Sequence, residues 1–214
     1  MTKILLADDH TVIREGLKTY IQNIMPRSKI DEAQDGDSAF EKIKRNDYAL
    51  IILDINMPAT DFFGLVINIL AAKPTSKILI FSMNPEAIFA KKYLQLGVLG
   101  YLSKKASIDE IKQAIKDVIN NKRYLSPLLT EMFTRIALGM EPNNQNPFDL
   151  LSPRELEIVS YLIKGESVSQ IGTYLNIHTS TVGTYKARIF EKLNCKNAIE
   201  INELAVMHNF IQPK

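Results

Sequence analysis

A chain of 214 residues, 46% hydrophobic and 23% charged, is long enough for one large or two modest globular domains and has an ordinary soluble composition. Its net charge of +2 excludes a global electrostatic attraction to nucleic acid or membrane, so any basic surface must be local. The single cysteine, Cys195, excludes an intrachain disulfide and no Cys/His cluster has zinc spacing; no apolar run approaches the ~20 residues of a membrane span. Met1-Thr2-Lys3 leads straight into a strand pattern without a signal-peptide pattern, and the expectation is a cytoplasmic protein.

From residue 3 to about 120, strand-like apolar runs alternate with helical periodicity. Strands are predicted at 3–8, 28–34, 49–54, 77–82 and 98–102, and helices near 11–24, 37–45, 63–72, 85–95 and 107–120. Ile13, Leu17, Tyr20, Ile21 and Ile24 carry the helical spacing, as do Ile108, Ile111, Ile115, Val118 and Ile119. Such alternation implies parallel βαβ units and a doubly wound α/β sheet. Residues 126–139 fit one more helix, and the polar, proline-containing stretch 139–147 reads as an interdomain linker. Beyond residue 150 no strand pattern stands out; helices are predicted at about 152–164, 167–175, 179–193 and 197–208. Ser152-Pro153-Arg154-Glu155 has a capping serine, a proline at the first helical position and a glutamate where a capping box requires it. Gly165 is well placed to end that helix. The domains are therefore taken as 1–124, a linker with a helix at 125–149, and 150–214.

The strand ends carry the chemistry. Ile4–Ala7 runs into Asp8-Asp9, Ala49–Leu53 into Asp54, Ile78–Phe81 into Ser82, and Val98–Leu102 into Lys104. In a parallel sheet the carboxyl ends converge on one edge, where such sheets bind ligands. Three carboxylates brought together repel one another unless a cation intervenes, and Mg2+ accepts oxygen ligands in near-octahedral geometry while keeping several waters. Asp9 and Asp54 would be direct ligands, Asp8 a water-mediated one, and the Asn56 backbone carbonyl would complete the set. A carboxylate held this way can attack phosphorus to form an acyl phosphate. Lys104 would pair with the phosphoryl oxygens and the Ser82 hydroxyl would hydrogen-bond one of them.

The Asp54-x-x-Met57-Pro58 run and the spacing Ser82 to Tyr101 to Lys104 resemble the receiver domains of two-component signalling over residues 3–120. The resemblance implies a five-stranded flavodoxin-like receiver fold, Asp54 as phosphoacceptor and Tyr101 as a switch aromatic; core packing is the alternative role for Tyr101. Two departures stand out. Receivers commonly carry a glycine about where Phe62 stands, whereas here Gly64 comes later, which predicts a longer or differently shaped loop. They also often place a proline after the signature lysine, whereas here Lys105 follows Lys104.

Residues 150–208 resemble the helix-turn-helix domain of the LuxR/FixJ (NarL-type) response regulators. The words that carry this are Leu151-Ser152-Pro153-Arg154-Glu155, Ile171-Gly172-x-x-Leu175, Thr181-Val182-Gly183-Thr184-Tyr185-Lys186-x-Arg188 and Lys192-Leu193. The Thr-Tyr-Lys-x-Arg wording is more like the BvgA and EvgA branch than the nitrate-regulator branch. In this class the second helix of the motif enters the major groove. Lys186, Arg188, Lys192 and Lys196 against Glu191 give the local basic stripe. Thr184, Lys186 and Arg188 are the expected DNA contacts, with Thr181 and Lys192 nearer phosphates. Gly183 stands where the family often has lysine, and His178 where it often has a capping Thr or Ser, which moves the expected cap to Thr179 or Ser180. His10 reads as an incidental loop residue beside the acid pair, with metal ligation as the alternative, and Cys195 as a partly buried small residue with redox sensing as the alternative.

Taken together, the resemblance implies a non-enzymatic, phosphorylation-dependent transcriptional regulator that binds double-stranded DNA, needs Mg2+ or another divalent cation, receives phosphate from a sensor histidine kinase and acts as a homodimer, with no membrane partner. Two rivals are a phosphorylation-independent regulator whose receiver only dimerises, and a Mg-dependent aspartyl phosphotransferase. The second usually places its nucleophile in a DxD motif after the first strand, unlike Asp54.

Overall fold

The computed structural model describes residues 2–140 and 146–211; the centre of the predicted linker, 141–145, lies outside the described residues. The chain divides into two compact units, Met1–Phe133 and Thr134–Lys214, each with its own core.

The first unit is a five-stranded parallel sheet with the order β2-β1-β3-β4-β5. Its strands are β1 (Lys3–Ala7), β2 (Lys29–Ala33), β3 (Leu50–Leu53), β4 (Ile78–Ser82) and β5 (Gly100–Ser103). They alternate with helices α1 (Thr11–Ile24), α2 (Gly36–Arg45), α3 (Phe62–Ala72), α4 (Glu86–Leu96) and α5 (Ile108–Ile119), and α6 (Pro127–Ala137) follows. The central strands are apolar along their length because both faces are covered. Alternate residues serve opposite faces. Ile4, Leu6, Leu50, Ile52, Leu79 and Phe81 pack with Leu17 and Ile21 of α1 and with Ala114, Ile115 and Val118 of α5. On the other face Tyr101 of β5 meets Tyr93 of α4, which also meets Phe62 of α3.

Local sequence fixes the helix starts. Asp35 caps α2 by accepting the Ser38 N–H, and Ser107 and Glu110 form a capping box on α5. The late glycine after Asp54 has a structural consequence. Asp61 caps α3 by accepting the Gly64 N–H at 3.0 Å, and Ala59 takes a left-handed φ of 54°. The Thr60 hydroxyl donates to the Pro58 carbonyl at 3.1 Å and accepts the Gly36 N–H at 3.0 Å, so this loop is tied to the start of α2.

The second unit opens with a short 3-10 turn, Pro147–Leu150, that the sequence pattern did not suggest; it places Phe148 against Phe210, ring centroids 4.9 Å apart. Then come α7 (Pro153–Ile163), α8 (Val168–Tyr174), α9 (Thr179–Leu193) and α10 (Ala198–Met207). The Ser152–Glu155 capping box forms as expected, and Gly165, at φ 83°, follows the end of α7. The start of α9 corrects the sequence expectation: the N-cap is His178, not Thr179 or Ser180. Its backbone is extended there, and its ring Nδ1 lies 2.8 Å from the Ser180 hydroxyl instead of capping the helix.

Candidate phosphoacceptor site and nucleic-acid interface

Parallel pairing brings the predicted strand-end residues together. The Asp54 N–H donates to the Ala7 carbonyl at 2.8 Å, locking the exit of β3 beside that of β1. The Lys104 N–H donates to the Ser82 carbonyl at 2.8 Å, doing the same for β5 and β4. Asp8 and Asp54 are 3% and 1% exposed. Lys104 Nζ lies 2.6 Å from Asp8 Oδ2 and 2.8 Å from Asp54 Oδ2, while Lys105 points out to solvent. Of the two adjacent lysines, Lys104 is the one that reaches the buried carboxylates.

Two buried charges of one sign facing one cation leave the site electrostatically incomplete. Burial pushes the Asp54 carboxyl above its ordinary value, and Lys104 pulls it back only in part. Asp8 Oδ2 and Asp9 Oδ1 are buried without a hydrogen-bond donor in alignment, although Lys104 and His10 nitrogens stand close. Asp8, Asp9, His10 and Asp54 can each offer one ligand atom, all within 4.8 Å of one another. Buried, under-satisfied carboxylate oxygens at this spacing fit a hard divalent cation.

The predicted switch groups lie next to it. Ser82 is fully buried, and its hydroxyl accepts the Asn84 N–H at 3.0 Å and faces the Asn56 amide at 3.4 Å. The Tyr101 ring is buried, with its hydroxyl donating to the Asn84 carbonyl at 3.1 Å; burial pushes its phenol far up. Tyr101 fills the core, and its hydroxyl touches the loop that follows Ser82.

Sequence reasoning passed over three neighbours. Asn84 links Tyr101 to Asn56, whose Oδ1 accepts the Asn84 amide at 3.3 Å. Arg14, buried on α1, donates to the Asp8 carbonyl at 2.6 Å and pairs with Glu32, which fixes the backbone under the acid pair. A lone arginine on the apolar side of a predicted helix was the available signal. His10, read as incidental, has its ring against both Asp8 and Asp9.

In the second unit α8, a short turn and α9 form a helix-turn-helix. The turn needs close approach: a side chain at Gly172 would meet the Ile177 carbonyl oxygen at 2.9 Å, and Asn176 takes φ 49°. Val182, Ile189 and Leu193 of α9 are buried. Thr181, Thr184 and Arg188 are exposed on it, while Lys186 is half-buried with its ammonium 5.4 Å from the Phe190 ring centre. Lys192 is engaged within the unit, its Nζ 2.7 Å from Glu155 Oε2.

These two constellations, an acidic phosphoacceptor-type pocket on a parallel sheet and a helix-turn-helix unit, define a signalling regulator with a DNA-binding output. The chain matches the response regulator receiver domain over residues 4–116 and the bacterial regulatory proteins of the luxR family over 149–205. It is 31% identical to the response regulator GacA of Pseudomonas syringae pv. syringae (strain B728a), covering 99% of this chain and 98% of that one. It is likewise 31% identical to the response regulator UvrY of Escherichia coli (strain K12), covering 97% of this chain and 95% of that one. Among solved structures, RcsB from Salmonella enterica serovar Typhimurium bound to promoter rprA with phosphomimetic BeF3- superposes with a TM-score of 0.70 at 21% identity, over 95% of this chain and 98% of that one. The chain belongs to the response regulators with a LuxR-type DNA-binding domain, a class of phosphorylation-dependent transcription regulators and not of classical enzymes. Among the described residues no helix is long and apolar enough to cross a membrane.

Proposed function

We propose that Asp54 is the phosphoacceptor of this regulator and that a sensor histidine kinase is the donor. The observation that carries this is the convergence of Lys104 Nζ on Asp54 and Asp8, 2.8 and 2.6 Å away, at the carboxyl edge of the sheet. One Asp54 oxygen attacks the donor phosphorus; a new P–O bond forms, the P–N bond to the phosphohistidine breaks, and the leaving imidazole keeps the electron pair and takes a proton. Lys104 then pairs with the phosphoryl oxygens, and the Ser82 hydroxyl turns from the Asn84 N–H to one of them. Asp9 and Asp54, the Asn56 carbonyl and, through water, Asp8 are the proposed holders of Mg2+. When bound, that ion offsets the negative charge that the carboxylates and phosphoryl oxygens bring together.

Movement of Ser82 draws on the same Asn84 that receives the Tyr101 hydroxyl, so the phosphoryl state reaches the surface through Asn84 and Tyr101. We take 1–124 as the receiver domain, 125–149 as linker and 150–214 as the DNA-binding domain. The active species in this reading is a cytoplasmic homodimer on double-stranded DNA, with Thr181, Thr184, Lys186 and Arg188 at the interface. Lys192, already paired with Glu155, contributes at its edge. Helix α10, with Ile199 70% exposed and Met207 73% exposed, offers the second unit an apolar contact for a second copy.

Incubation with acetyl phosphate and Mg2+, followed by intact mass measurement, tests the acceptor. Wild type gains one phosphate and Asp54→Asn gains none; an equal gain in the variant removes the assignment. Sedimentation of the phosphorylated protein with and without DNA tests the dimer, which a monomer under both conditions excludes.

A further inference from the structure

We infer that His10 supplies a nitrogen ligand to the acidic pocket and tunes it toward late first-row divalent ions over magnesium. The inference rests on the reading of Asp8, Asp9 and Asp54 as a cation site.

Its geometric basis is the position of one ring atom. His10 Nδ1 lies 2.8 Å from Asp9 Oδ1 and 3.2 Å from Asp8 Oδ1. Two ligands bonded at about 2.1 Å and at right angles on one ion stand roughly 3.0 Å apart, so His10 Nδ1 and Asp9 Oδ1 are spaced as neighbours on a common cation. Asp54 brings its own ligand atom within the same 4.8 Å.

The ring is held there by its backbone. The His10 N–H donates to Asp8 Oδ1 at 2.8 Å, and its carbonyl accepts the Ile13 and Arg14 N–H groups in the first turn of α1. His10 occupies the N-cap of α1 yet makes no side-chain capping hydrogen bond, so the imidazole is not committed to the helix. The side chain is 61% exposed, which leaves an ion a path from solvent, whereas the Asp8 side chain beside it is buried.

Lys104 leaves this edge open. Its ammonium pairs with the Oδ2 atoms of Asp8 and Asp54, on the other oxygens of those carboxylates. The Oδ1 side of Asp8 and Asp9 faces His10 instead. A pocket lined with oxygen alone suits Mg2+, which sheds water reluctantly and prefers oxygen. An imidazole nitrogen raises affinity for Co2+, Ni2+ and Zn2+ and adds little for Mg2+. His10 thus separates the affinities of two classes of ion within one pocket.

The test uses full-length protein stripped with chelator. Mg2+ and Co2+ are titrated by calorimetry into wild type, His10→Ala, His10→Gln and Asp9→Ala, and the visible spectrum of bound Co2+ is recorded. The expected result is a loss of about ten-fold or more in Co2+ affinity in both His10 variants, with Mg2+ affinity changed by about two-fold or less. The Co2+ bands should move to the positions of an all-oxygen site. Thermal unfolding of the His10 variants checks that they fold, and the glutamine keeps the size and polarity of the side chain. If both ions lose affinity in parallel, or neither does, while Asp9→Ala abolishes binding, the cation site stands and the role of His10 is overturned. If wild type binds neither ion, the cation-site reading falls and this inference with it.

Discussion

Lys192 Nζ lies 2.7 Å from Glu155 Oε2, the same oxygen that accepts the Ser152 N–H at 2.6 Å in the capping box of α7. One buried carboxylate thus caps the start of α7 and anchors the C-terminal part of α9. Burial opposes ionisation of Glu155, but the hydrogen bonds from Lys192 and Ser152 outweigh it and hold the carboxyl below its ordinary 4.5. A depressed folded-state value gives stability that is present above the unfolded value and lost as pH falls through the folded one. The second unit should therefore hold its stability from neutrality down to about pH 5 and lose it progressively as pH drops below 4.5. Lys192→Met should cost roughly 1–2 kcal/mol at pH 7, less than a fully buried pair because Lys192 is partly solvated, and should flatten the acid limb. Urea unfolding of the full chain at pH 7 and pH 4, followed through amide signals of α7 and α9, measures both; equal acid limbs count against the pairing. Because this charge is engaged internally, the salt slope of DNA binding should fall by well under one unit in the same variant.

Lys104 serves two buried carboxylates at once. Replacing it with methionine leaves Asp8 and Asp54 without a cation, which should cost about 3–5 kcal/mol at pH 7 in the presence of chelator. The Asp54 carboxyl is already raised by burial. A raised folded-state value means stability that is present at low pH and lost as pH rises through that value. Lys104→Met should accordingly recover stability as pH is lowered from 7 toward 5, and Mg2+ should raise its unfolding midpoint more than that of wild type. Denaturant titrations with EDTA and with Mg2+ at both pH values decide this. A variant as stable as wild type in EDTA would show that the pairing contributes nothing.

The sheet was legible because its central strands are short apolar runs punctuated by helical periodicity, so the 49–54 and 77–82 expectations correspond to Leu50–Leu53 and Ile78–Ser82; the charged edge strand Lys29–Ala33 follows from its place in the alternation. The helix start at Ser152 was legible because capping chemistry lies within four residues, and Ser107 caps α5 by the same local chemistry. The meeting of Asp8, Asp54, Ser82 and Lys104 follows from parallel topology, which sends every strand end to one edge. Side-chain pairs distant in sequence were not legible. Lys192 and Glu155 are 37 residues apart, and nothing local to either names the other. The ring of His10 was hidden for a different reason: adjacency to Asp8 and Asp9 is plain, but its direction is set by the turn into α1. The α9 cap was misjudged because side-chain propensity favoured a hydroxyl, whereas the extended backbone before Thr179 falls on His178.

Gly172 tests the geometry of the helix-turn-helix. A methyl group there would sit 2.9 Å from the Ile177 carbonyl oxygen, a backbone atom of the turn, so α8 must shift to admit it. Gly172→Ala should lose about 1–3 kcal/mol and weaken DNA binding with it. Gly183, on α9, has no atom within 4 Å of the corresponding position. Gly183→Ala should gain up to about 1 kcal/mol from helix propensity. Thermal unfolding of the two variants side by side checks the sign of each, and destabilisation of both to the same degree would contradict the close approach at Gly172.

On α9, Lys186 and Arg188 are two residues apart and diverge by about 200° around the axis, so they cannot both face the floor of a groove. Thr184 and Arg188 are four apart and share a face, and both are exposed. Lys186 is half-buried and lies over the Phe190 ring, which draws its ammonium along the helix flank. The expectation is that Thr184 and Arg188 approach base edges while Lys186 meets the phosphate backbone. Arg188→Ala should cost ~1–3 kcal/mol on specific DNA and relax preference at one position. Lys186→Ala should weaken specific and random DNA alike and reduce the salt slope by about one unit. Binding of both variants to both DNAs across a salt series separates the roles. Loss of preference in Lys186→Ala, together with uniform weakening in Arg188→Ala, would reverse the assignment and turn the other face of α9 toward the bases.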